Sequence, residues 1–129
     1  MTREKMKKWL ANLYSIWTHR AAQYRLNYVQ YGKVFSALSG HSPKNSAAIG
    51  IFHQMLSKIT RISELFPLDE DNAQHNLNDT LDDIAVYAML LKDIASHKNL
   101  EDLSSEWEKD FSNRTEKREQ AHWNEGSLV

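Results

Sequence analysis

Asp79 and Asp83 stand four residues apart in a stretch that reads as helix, with Tyr87 four further on. Helical geometry puts all three on one face, about a turn from each other. Two carboxylates so placed offer oxygen ligands to a hard cation such as Mg²⁺. They are the candidate metal ligands and, with a bound metal, the candidate catalytic residues. On the preceding helix Lys58 and Arg61 are three apart and flank its apolar stripe. Two cations there would neutralise a phosphate, the arginine through paired hydrogen bonds. The plain alternative is that Lys58 or Arg61 salt-bridges Asp79 or Asp83 across the two helices. Asp82, on another side of its helix, is expected to point into solvent.

These residues need two helices to position them. Phe52, Met55, Ile59, Ile62 and Phe66 repeat at steps of three and four, as do Leu77, Leu81, Ile84, Ala88, Leu91 and Ala95. The two stripes are expected to close on each other as a central antiparallel pair. Pro67 stops the first helix, and an acidic connection from Leu68 to Asn78 leads into the second.

Around that pair the rest of the chain also reads as helix. A first helix is expected from about Thr2 to about Val29, rich in aromatics: Trp9, Tyr14, Trp17, Tyr24 and Tyr28. These serve either as core or as a platform for stacking on bases, with Arg20 and Arg25 nearby. Tyr31-Gly32 reads as a break into a second, short helix ending at Leu38. Ser42 before Pro43 is an N-cap with proline at the first helical position. Gly50 implies a close backbone approach by a helix or a ligand. A last helix with the sparse stripe Leu103, Trp107 and Phe111 is expected to dock loosely.

The fold class is therefore all-α: one domain of four to five helices over residues 1–111, with a fraying polar tail over 112–129. A chain of 129 residues, 41% hydrophobic, with four glycines and two prolines, suits one core rather than two. It has no cysteine, hence no thiol chemistry and no Cys-ligated zinc. The charged start, Met1 to Trp9, lacks a signal-peptide core, and no apolar run approaches a membrane span. A cytoplasmic protein without a membrane partner is expected. The six histidines never fall at i, i+4 with one another, and no phosphate loop or serine-hydrolase elbow is present.

The net charge of −1 conceals an asymmetry. Residues 1–66 carry ten Lys/Arg against two acids, whereas residues 67–110 carry three against twelve. Either the two halves attract each other within the fold, or the basic half meets a phosphate-bearing partner. Binding to nucleic acid ranks last, because the acidic half opposes it.

Tyr31-Gly32, Lys58-x-x-Arg61-Ile62 and Asp79-Thr80-Leu81-x-Asp83-Ile84-Ala85-x-Tyr87-Ala88 occur in that order. Over residues 28–97 this resembles the phage-enriched nucleotide-modification-associated helical domain family. The resemblance implies a nucleotide ligand, with Lys58 and Arg61 on phosphate, Asp79 and Asp83 on a metal or a base edge, and Tyr87 on the sugar or base. Tyr31 joins them as a ligand-binding residue. There is a looser likeness to all-α nucleotide pyrophosphatases of the MazG and dimeric dUTPase type. This chain departs from their paired acidic motifs, having only Glu64 on the Lys58 helix. The resulting expectation is a phage-type protein of the host cytoplasm that binds or processes a nucleotide. If it is an enzyme, Mg²⁺-assisted attack on a phosphoanhydride is its chemistry. A homo-oligomer is also expected. The alternative is a non-enzymatic interaction protein that modulates a host protein.

Overall fold

The computed structural model describes residues 1–67 and 71–117. They form four helices: α1, Arg3–Ser39; α2, Pro43–Leu65; α3, Asp71–Ser96; and α4, Leu100–Lys117. Residues 112–117, expected in the tail, continue α4; residues 118–129 and the acids Asp69 and Glu70 lie outside the described residues. Among the described residues there is no strand, and no helix is long and apolar enough to cross a membrane.

Local chemistry accounts for the helix ends. The Thr2 hydroxyl accepts from the Lys5 amide at 3.1 Å, capping α1. At the other end Gly40, at φ 79°, provides the left-handed residue that closes it. Ser42 caps α2 by accepting from the Asn45 amide at 3.1 Å, with Pro43 at the first turn as expected. Asn99 accepts from the Asp102 amide at 2.9 Å and so starts α4.

The expected break at Tyr31-Gly32 does not occur. α1 runs through it for 37 residues. Gly32 is there for contact, not for a turn. A Cβ at this position would stand 2.6 Å from the Pro43 carbonyl oxygen, 3.0 Å from the Ala47 Cβ and 3.1 Å from Leu100. The missing side chain lets α2 and α4 approach the α1 backbone. Gly50 does the complementary job on α2: a Cβ there would lie 2.7 Å from the Tyr31 ring, which stacks on Phe35 in turn.

α2 and α3 form the central antiparallel pair. At one end Leu65 gathers with Ala73 and Leu77; at the other, Ile51 joins Leu90 and Ile94. The buried faces are rotated from the expected stripes. Ala47, Gly50 and Ile51 are buried on α2, while Phe52, Ile59 and Phe66 are exposed. On α3, Ala73, Leu77, Thr80, Val86, Leu90 and Ile94 are buried, while Leu81, Ala88 and Ala95 are exposed. The cause is α1, which packs against both helices. Each must bury a wedge facing two neighbours, not a stripe facing one.

The aromatics of α1 are mainly core. Trp17, Tyr24 and Tyr28 form a continuous ring array with Tyr87 of α3 and Trp107 of α4, at centroid spacings of 5.9–6.3 Å. α4 does not dock loosely. Leu100, Leu103 and Trp107 are buried, and the Trp107 indole N–H donates to Asp93 Oδ2 at 2.7 Å.

Candidate functional site

Among the candidate residues, Lys58 and Asp83 come together. Lys58 Nζ lies 3.1 Å from Asp83 Oδ2, and Arg20 Nη1 of α1 lies 3.2 Å from Oδ1. One carboxylate thus holds two cations from two other helices. Asp83 is well covered, with 17% of its side chain exposed, whereas Arg20 remains half exposed. That asymmetry leaves Arg20 with N–H groups facing water.

Beneath the ions lies a tyrosine wall. The Arg20 guanidinium bonds the Tyr24 hydroxyl, and this bond, ahead of the Asp83 carboxylate, holds the arginine further above its already high pKa. Tyr24 is raised from the ordinary phenol value, first by burial, against the opposing pull of Arg20. Tyr28 is raised much further, again first by burial and then by its hydrogen bond with Tyr87. Both stay neutral phenols at any physiological pH. Tyr87 packs edge-on against both rings, so it is a wall residue rather than a free platform.

Asp79 has different neighbours. It is largely exposed and lies 3.5 Å from His75, one turn back on its own helix. It opens onto a cleft of about 450 Å³ that is also lined by Lys8, Trp9, Asn12, Asn78, Leu81 and Asp82. Asp82 is not solvated as expected. It is half-buried and accepts from Asn12 Nδ2 at 2.9 Å. Its pKa is raised, first by burial and then by the charges of Asp79 and Asp83. Arg61 is exposed one turn from Lys58. Tyr31 lies apart from the cluster, over Gly50, in an open groove between α1 and α2.

This arrangement does not fit a Mg²⁺ ion held by Asp79 and Asp83. Each oxygen of Asp83 is engaged by a cation, and neither residue belongs to the one group of three or more potential metal ligands among the described residues. The charge split of the sequence resolves in part inward. Arg20 and Lys58 pair with Asp83, and Arg25 pairs with Glu108 at 3.0 Å, each linking the basic half to the acidic half.

Arg20 is the site residue whose partner the sequence did not reveal. It lies 63 positions from Asp83, and its only local signal was a cation between Trp17 and Tyr24 on an aromatic helix. No protein-family model matches this chain, and no curated protein and no solved structure is significantly similar to it.

Proposed function

We propose that this protein binds a phosphate-bearing nucleotide at the junction of α1, α2 and α3, with Arg20 and Lys58 as the anion seat. The observation that carries the reading is one well-covered carboxylate, Asp83, holding two cations from two different helices. Asp83 spends one charge on two, so the cluster keeps a net positive charge. It also fixes both head groups before a ligand arrives, which reduces the ordering cost of binding. Arg20 keeps free N–H donors for paired hydrogen bonds to phosphate oxygens. Arg61 extends the positive edge. The nucleotide class rests on the family resemblance of the Lys58 and Asp79–Ala88 segments, and a role in phage nucleotide metabolism belongs to the same proposal. Binding rather than hydrolysis is the activity proposed, because both oxygens of Asp83, the carboxylate within the seat, are engaged by cations.

A thermal-shift panel of nucleotides and cyclic nucleotides tests this. A ligand at a hundred times its dissociation constant should stabilise the fold by about 2.7 kcal/mol. The shift should vanish in Arg20→Ala and Lys58→Ala. A flat panel, or a shift that both variants retain, refutes the seat.

A second observation supports self-association. Gly50 and Ala47 turn toward α1, and so do Asp82, Asp83 and Leu90. On the sides turned away from α1, α2 exposes Phe52, Leu56 and Ile59, and α3 exposes Ala88. An outward apolar face on a two-helix layer is what a second copy completes as a four-helix bundle with two-fold symmetry. The homodimer is accordingly part of the proposal. Light scattering after gel filtration should give twice the chain mass, and Phe52→Glu should give one chain mass without loss of helicity. A monomeric wild-type protein would reject the dimer and turn attention to a foreign protein as the occupant of this face.

A further inference from the structure

Asp93 and His97, one turn apart at the end of α3, meet Glu106 of α4 across the short 97–99 connection. One ligand atom of each lies within 4.8 Å of those of the other two. His97 Nε2 stands 3.1 Å from Glu106 Oε2. The other polar atoms of the first two residues are already satisfied by the protein. His97 Nδ1 is 2.8 Å from the Asp93 carbonyl oxygen; donating its proton there leaves Nε2 as the nitrogen available to a metal, and the 3.1 Å contact of Nε2 with Glu106 is an N–H donation from the charged ring that the ion would replace. Asp93 Oδ2 accepts the Trp107 indole N–H at 2.7 Å, so Oδ1, 3.7 Å from His97 Nδ1, is the oxygen left to face an ion.

That pattern of outer hydrogen bonds is what orients metal-binding residues in proteins. An imidazole donates its second N–H to a carbonyl, and the carboxylate is pinned through its second oxygen. We propose that Asp93, His97 and Glu106 form a binding site for a divalent transition metal of the zinc class, which ties α4 to the end of α3. Neutral imidazole with two carboxylates brings a charge of −2, matching the ion. One nitrogen and two oxygens suit zinc, and manganese less tightly; magnesium prefers an all-oxygen shell. Metal–ligand bonds of about 2.0–2.2 Å need ligand atoms closer together than they now stand. Glu106, 60% exposed, is free to make that adjustment. The histidine spacing alone did not reveal this site, because its third ligand comes from another helix.

Calorimetric titration of the EDTA-treated full chain with Zn²⁺, Mn²⁺ and Mg²⁺ tests the assignment. The expected result is one Zn²⁺ per chain with micromolar or tighter affinity, weaker Mn²⁺ and no Mg²⁺ binding, together with a Zn²⁺-dependent rise in melting temperature. His97→Ala should weaken Zn²⁺ binding at least a hundredfold. Glu106→Gln, a change at an exposed position that leaves the helix intact, should weaken it at least tenfold. Wild-type affinity no better than millimolar overturns the site. So does tight binding that both variants retain, which would place the ion elsewhere, for instance at His75 and Asp79.

Discussion

Gly32→Ala is expected to lower the melting temperature by up to about 8 °C, even though alanine is the better helix former. In an isolated helix the exchange would gain about 1 kcal/mol. Here the new methyl group would stand 2.6 Å from the carbonyl oxygen of Pro43, a backbone atom in the first turn of α2, while also pressing on Ala47 and Leu100. Neither α2 nor α4 can withdraw without loosening the core cluster that Ala47, Ile51, Leu100 and Leu103 build together. Overpacking costs about 1–3 kcal/mol, and a clash with a backbone atom that cannot swing aside falls at the upper end, leaving a net loss of about 2 kcal/mol after the propensity gain. Gly40→Ala is the control. It meets no atom within 4 Å, but its φ of 79° taxes any side chain, so a loss of only about 1 kcal/mol is expected. Thermal unfolding followed by circular dichroism measures both. A Gly32→Ala protein as stable as wild type would mean that the α1–α2 crossing is not set by this contact.

Asp83→Asn is expected to cost about 1–3 kcal/mol, and inorganic phosphate should restore part of that loss. The side chain keeps its shape, but Arg20 and Lys58 lose the charge they share. Breaking a fully buried pair costs more than this, and an exposed pair costs almost nothing. The cluster lies between these limits, since Asp83 is covered while half of Arg20 is in water. In the variant two unpaired cations face each other over a tyrosine wall that stays neutral, and an added anion is the natural replacement for the carboxylate. Melting temperatures of wild type and Asp83→Asn, measured in phosphate and in chloride at matched ionic strength, separate the possibilities. Selective rescue of the variant by phosphate supports the anion seat. Equal response of the two proteins means that the pairs are only structural, the alternative that the sequence itself posed.

Much of the architecture was written locally. Four glycines, two prolines and apolar steps of three and four dictate helices, and Ser42-Pro43 and Pro67 punctuate them where the structure does. The meeting of Lys58 and Asp83 was also legible, because both flank apolar stripes on consecutive helices that had to pair.

What the sequence could not supply was the third neighbour. α2 and α3 carry apolar residues around more than one side, so periodicity alone selected Phe52, Ile59, Leu81 and Ala88, which the fold leaves exposed. Only the passage of α1 across both helices decides which sides are buried, and that passage depends on an unbroken α1. A glycine at position 32 signals equally a bend or a close contact, and the choice rests on Pro43, Ala47 and Leu100 arriving from elsewhere in the chain. Arg20 on Asp83 and Glu106 on His97 have the same origin. Local chemistry selects helices and their ends, whereas the partners of a charged side chain are chosen by whichever helix packs beside it.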